Sequence, residues 1–113
     1  MDLISGKSIL IPYRHLIYTL AVAEHGSVQA ASDSISISQP ALSAAIQKVE
    51  QNYGLKIFLR DRPNKLVLTP DGKRFIARAK VLMEGAEEFE DNVMNLSNTL
   101  NGTIQLGCFT PTA

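Results

Sequence analysis

The sequence predicts a mainly α fold, with three helices and a two-stranded hairpin in one small domain followed by a long fourth helix. Three observations predict it. Apolar residues recur at helical spacing from Tyr13 to Tyr53, interrupted by breakers at Gly26, Ser38–Pro40 and Gly54. Two short β-prone runs, LKIFLR and KLVLT, flank the turn-forming cluster DRPN. From TPDG onward the apolar positions step by four and three until the Asn-rich NLSNTLNG.

Each element has its own local signal. Leu16, Ile17, Leu20 and Ala23 form one face of the first helix, which His25-Gly26 closes with a residue free to turn left-handed. Ser27 is a natural N-cap for a short second helix, Val28 to Asp33, whose small Ala30-Ala31 pair permits close approach by a neighbour. Ile35 and Ile37 are apolar residues at a chain reversal and should tuck into the core. Ser38 caps the third helix, and Pro40 occupies its first turn, where a missing N–H costs little because those amides lack intrahelical partners. That helix buries Leu42, Ile46 and Val49 and stops at Gly54. The hairpin follows. Thr69, Pro70 and Asp71 then supply an N-cap, a first-turn proline and an acid at the favourable end of the dipole for the long helix. About 28 residues at 1.5 Å each would give it a length of roughly 40 Å.

Composition narrows the class. A chain of 113 residues, 45% hydrophobic and 19% charged, has the make-up of a folded domain rather than a disordered one. No apolar run reaches the ~20 residues of a membrane span, and MDLISGKSILIPY lacks the pattern of a secretory leader. Cys108 is the sole cysteine, which excludes an internal disulfide and fits a cytoplasmic location. The formal net charge is zero, but its distribution is not even. All eleven Lys and Arg lie at or before Lys80 against six acids, so that segment carries +5, while the remainder has five acids and no cation.

Two short helices joined by a tight turn, with a hairpin after them, make a winged helix-turn-helix. The outward face of the third helix then acquires a meaning. It offers Gln39, Ser43, Gln47 and Gln51, uncharged groups able to read donor and acceptor patterns on base edges. Lys48, Lys56, Arg60, Arg62 and Lys65 flank this stripe and would meet phosphates. With Pro40 and the N-cap serines Ser27 and Ser38, all of these but Gln51 form the predicted DNA-binding set, the helix over 39–53 lying in the major groove and the wing over 57–68 on the backbone or minor groove. A winged-helix interaction or dimerisation module that never touches DNA stays open as the alternative, since the net charge is zero.

The run AVAEHGSVQAASDSISISQPALSAAIQKVEQNYGLKIFLRDRPNKLVLTPDG also resembles the N-terminal DNA-binding domain of the LysR-type bacterial transcriptional regulators. The resemblance covers about residues 13 to 100. It is carried by Gly26-Ser27, Ala30-Ala31, Ser38 to Ser43, Ile46, Glu50, Gly54, Ile57-Phe58 with Arg60, and Thr69 followed by Gly72. It implies that Gln39, Pro40 and Ser43 enter the major groove, and that Arg60 and Arg62 reach backbone or minor groove. It further implies a linker helix over 70–101, paired antiparallel with its copy, and a regulatory domain beginning in 102–113 that would bind a small-molecule effector. Homodimers that can pair again into tetramers at full length belong to the same expectation. The chain departs from the family at Ala44-Ala45, where an arginine or another polar residue is frequent just after the serine. Residues 1–12 form an N-terminal extension beyond the family pattern.

The last helix carries a heptad seam of Phe75, Ala79, Leu82, Ala86, Phe89, Val93, Leu96 and Leu100, the predicted dimerisation residues. Its charges run against the macrodipole, with Lys73, Arg74, Arg78 and Lys80 near the N-terminus and five acids beyond them. An antiparallel copy would lay each basic half along the partner's acidic half, with the twofold near Leu82. Catalytic, metal and cofactor sites are not expected. His15 and His25 are ten residues apart and have no acid cluster beside them, and Cys108 has no His or Lys neighbour.

Overall fold

The computed structural model describes residues 11–101, with side chains as far as Ser97. The element order is α1 (Tyr13–His25), α2 (Val28–Ile35), α3 (Gln39–Tyr53), β1 (Phe58–Arg62), β2 (Lys65–Leu68) and α4 (Pro70–Asn101). This is the mainly α, winged arrangement expected from the sequence. The expected start of a regulatory domain in 102–113, Leu100's side chain and most of the 1–12 extension lie outside the described residues. None of the described helices is long and apolar enough to cross a membrane.

Helices α1, α2 and α3 enclose one core. α3 contributes Leu42, Ala45, Ile46 and Val49; α1 contributes Leu16, Ala21 and Val22; α2 contributes Ala31. Ile35 and Ile37 pack against this cluster, as their place at the reversal suggests. The buried stripe of α1 sits slightly off the expected one. Ile17, Leu20 and Ala23 are half-buried, whereas Thr19 is fully enclosed. Thr19 can occupy the core because its hydroxyl donates to the His15 carbonyl one turn back at 2.7 Å, so no polar atom is left unpaired.

The turns follow local chemistry. Gly26 is left-handed, with φ +76, and its amide closes α1 on the Val22 carbonyl. α2 continues two residues past the expected end at Asp33, because Ser36 takes the left-handed cap instead, with φ 59. The hydroxyl of Ser32 donates to the Ile37 carbonyl and holds this turn. Ser27 and Ser38 cap α2 and α3, accepting from the amides of Ala30 and Ala41.

The hairpin is antiparallel, with Phe58 opposite Leu68, Leu59 opposite Val67 and Arg60 opposite Leu66. Asp61 and Arg62, expected within the turn, belong to β1. An irregularity between Arg60 and Arg62 absorbs one residue, so Arg62 pairs with Lys65 and the connection shrinks to Pro63-Asn64. Two long-range links fix the hairpin to the helices. The amide of Leu66 donates to the Gly26 carbonyl at 2.8 Å. The Glu50 carboxylate accepts from the amides of Ile57 at 2.8 Å and Phe58 at 3.3 Å.

Contacts divide the described chain after Ala79, so the start of α4 belongs to the helical body. Thr69 caps α4 by accepting from the Gly72 amide at 2.8 Å while its own amide donates to the Ile57 carbonyl at 3.0 Å. Of the predicted dimerisation residues, Ala79 is buried in the domain's own core, and Phe75 is half-buried against that core with its ring 5.9 Å from Tyr53. The second unit, from Lys80, is the remainder of α4. There Leu82, Phe89, Val93 and Leu96 are exposed along one stripe, with Ala86 half-exposed between them. Near the helix start, Arg74 donates to Asp71 at 2.7 Å, which tempers the unfavourable placement of the cation against the dipole.

Candidate nucleic-acid interface

The candidate interface begins with what α3 hides. With Leu42, Ala45, Ile46 and Val49 turned into the core, the 3.6-residue period sends Gln39, Pro40, Ser43, Gln47, Lys48 and Gln51 to the surface, and all six are exposed. The one acid in α3, Glu50, does not interrupt this face with free charge, because its carboxylate is engaged by the Ile57 and Phe58 amides. What remains outward is a row of amides and hydroxyls with a single cation. Such a surface can exchange hydrogen bonds with base edges without repelling a polyanion.

The hairpin stands beside the beginning of this helix. An open groove runs between them, lined by Ser27 and Gln29 of the α2 end, Gln39 and Ser43 of α3, and Arg60, Asn64 and Lys65 of the wing. Five residues singled out from the sequence thus converge in one place: Ser27, Gln39, Ser43, Arg60 and Lys65. Ser38, Pro40, Gln47, Lys48, Lys56 and Arg62 are exposed but lie outside the groove lining. Two of the wing cations have partners. Arg60 donates through Nη1 to the Pro63 carbonyl at 2.6 Å, bracing the turn of its own hairpin. Arg62 approaches Asp61 at 3.5 Å, an exposed pair worth ~0–1 kcal/mol and easily exchanged for a stronger anion.

Sequence reasoning missed Gln29 and Asn64. Gln29 follows the cap of α2 and Asn64 forms the turn, positions with no outward sign of a shared groove. Burial, then Arg14, then Lys48 hold the His15 imidazole below its ordinary pKa. Among the described residues, no group of His, Cys, Asp and Glu side chains gathers as a metal site would require.

The model of a bacterial regulatory helix-turn-helix protein family, lysR, matches residues 13–73. The chain is 34% identical over 88 residues to an uncharacterized HTH-type transcriptional regulator, YvbU, of Bacillus subtilis, covering 78% of this chain and 30% of that protein. It is 34% identical over 94 residues to the SDS degradation transcriptional activation protein of a Pseudomonas species, covering 83% of this chain and 30% of the relative. It therefore spans about a third of the length of these relatives. Among solved structures, the BenM_DBD/catB site 1 DNA complex has a TM-score of 0.75 at 29% identity, over 83% of this chain and 100% of that one. The CbnR_DBD–DNA complex has a TM-score of 0.72 at 28% identity, over 78% of this chain and 100% of that one. The family and these named relatives are regulators rather than enzymes.

Proposed function

Because the chain belongs to the LysR family of bacterial regulatory helix-turn-helix proteins, we propose that it is the part of a cytoplasmic transcription regulator that grips duplex DNA, together with the helix that pairs two copies. In this reading, residues 13–69 bind DNA, 70–101 link and dimerise, and 102–113 open a regulatory domain that binds a small-molecule effector. The observation that carries it is the groove joining the start of α3 to the wing, with neutral readers on one wall and Arg60 and Lys65 on the other. α3 occupies the major groove, and Gln39 and Ser43 meet base edges. The wing and Lys48, Lys56 and Arg62 meet phosphates. That division puts sequence discrimination in the uncharged stripe and affinity in its rim. The similarity to the BenM_DBD and CbnR_DBD complexes with DNA supports it.

Two such domains about a twofold read an interrupted inverted repeat, one α3 per half-site. Selecting bound duplexes from a random pool should return such a repeat. Gln39→Ala should flatten the preference at one position per half-site by ~1–3 kcal/mol while leaving the others sharp. Recovery of a pool with no enriched repeat would remove the reading.

Pairing of α4 is antiparallel in this proposal. Charge matching puts the axis near Leu82, where the basic and acidic blocks exchange. An axis near Leu82 limits the overlap of the two helices to roughly residues 70–94, so the seam residues open to the contact are Leu82, Ala86, Phe89 and Val93, beside the half-buried Phe75. In a chain freed of Cys108, Leu82→Cys should crosslink to its copy readily and Leu96→Cys should not. A parallel, in-register pair would crosslink equally at both.

A further inference from the structure

The passage from α3 into the wing is folded about one residue, Glu50. Its backbone carbonyl accepts from the amides of Gly54 and Leu55, the latter at 3.1 Å, and so ends the helix. Its carboxylate Oε2 then accepts from the amides of Ile57 and Phe58, at 2.8 and 3.3 Å. Of the amides from 54 to 58, only that of Lys56 does not end on Glu50. Lys56 lies in neither a helix nor a strand, yet its main chain is held on three sides. The Leu55 and Ile57 amides that flank it go to Glu50, and its own carbonyl accepts from the Thr69 hydroxyl at the start of α4. Its side chain is exposed and belongs to no ion pair among the described residues. The neighbouring acid does not neutralise it, because that carboxylate is turned to the two amides.

We propose that Glu50 is a positioning residue for duplex binding: its carboxylate fixes the 54–58 segment so that Lys56 meets a backbone phosphate from a main chain already in place. The inference rests on the DNA-binding reading above. A lysine on a loose connection would have its backbone as well as its side chain ordered on binding, and affinity would fall accordingly. Glu50 itself does not touch DNA. Its operative property is the reach of an oxygen acceptor to two amides, one of them on a completely buried residue. The bonds to its backbone carbonyl survive any substitution. A change of side chain therefore loosens the segment on the Lys56 side and leaves the end of α3 closed.

Two substitutions separate reach from charge. Glu50→Gln keeps an oxygen at the same reach and removes the charge. Glu50→Asp keeps the charge and withdraws the carboxylate by about 1.5 Å, the length of one C–C bond, which carries it out of hydrogen-bonding range of both amides. A role through charge predicts that Gln tightens binding and Asp leaves it alone. A positioning role predicts that Asp is the damaging change.

The test measures each 113-residue chain with and without Lys56→Ala, by anisotropy of a labelled mixed-sequence duplex at ~50 and ~200 mM salt. In the otherwise unaltered chain, Lys56→Ala should weaken binding about tenfold or more at the lower salt. In the Glu50→Asp chain the same change should cost less than about threefold and shallow the salt slope by less than about one per dimer. Glu50→Gln should restore the full effect of Lys56→Ala. A loss of stability alone would leave the share of Lys56 in binding as it was. An equal effect of Lys56→Ala in the unaltered and Glu50→Asp chains, or a Glu50→Gln chain that follows Glu50→Asp, overturns the proposal and leaves the DNA-binding reading standing. Absence of duplex binding by the unaltered chain overturns both. Backbone NMR order at Lys56 in the unaltered chain decides the matter even should a variant fail to fold. An order parameter near ~0.85 with and without duplex is expected, and one below ~0.6 that rises on adding duplex overturns the proposal.

Discussion

Duplex affinity is expected to fall by about 10³- to 10⁵-fold as salt rises from ~50 to ~200 mM. A chain of zero net charge would not ordinarily behave this way. The expectation comes from where the charges sit. Lys48 is exposed on α3, Arg60 and Lys65 line the groove beside it, Lys56 and Arg62 are exposed as well, and the five acids that balance the excess of cations lie beyond Lys80. Each phosphate contact releases condensed counterions, so five contacts in each of two protomers give a slope near −9 in log affinity against log salt. Lys56→Ala or Lys65→Ala should each shallow that slope by about two per dimer and weaken all sequences alike. Arg60 differs, because its bond to the Pro63 carbonyl also braces the wing turn. Anisotropy at two salt concentrations measures the effect. No binding at either concentration would favour the interaction-module alternative.

Gly72→Ala should destabilise the fold by about 3–5 kcal/mol, a large part of the ~5–15 kcal/mol total expected for such a domain. A Cβ at this position would lie 2.2 Å from the Ile57 carbonyl oxygen and 3.0 Å from its carbon. Neither side can yield easily. Ile57 is completely buried, its amide is held by Glu50 and its carbonyl accepts from Thr69. The opposite side is the capped first turn of α4. Relief would require breaking bonds that tie the wing to α3 and to α4, each worth ~1 kcal/mol and more when a buried group is left unpaired. The midpoint of a urea transition checks this, with Gly85→Ala as the control. Gly85 has open space around its would-be Cβ, so alanine there should stabilise the helix by ~0.5–1 kcal/mol. A loss below ~1 kcal/mol at Gly72 would show that the α4 start can move away from Ile57.

The two variants probe different levels of organisation. The salt response depends on a surface whose members were recognisable one at a time, as cations flanking an uncharged stripe. The glycine response depends on a close approach between residues fifteen apart, Ile57 and Gly72, for which the sequence offers only a glycine soon after a helix cap. Likewise, Phe75 and Ala79 fit the heptad seam by spacing as well as Leu82 does. Spacing describes one face of a helix and is silent on which neighbour covers each part of it. Only the packing of the α4 start against the core separates those two from the rest.

By itself, the sequence determined what is decided within a few residues: the capped starts at Ser27, Ser38 and Thr69, the left-handed stop at Gly26, the hairpin, and the neutral face of α3. These follow from hydrogen-bonding capacity and backbone freedom, which act over one helical turn. The tertiary structure decided which distant groups meet. It brought Gln29 and Asn64 into the groove with Gln39, turned the Glu50 carboxylate to the Ile57 and Phe58 amides, and enclosed Thr19. Those juxtapositions come from burying apolar faces against one another, and the hydrophobic effect, being non-directional, leaves no local mark of which surfaces it will join.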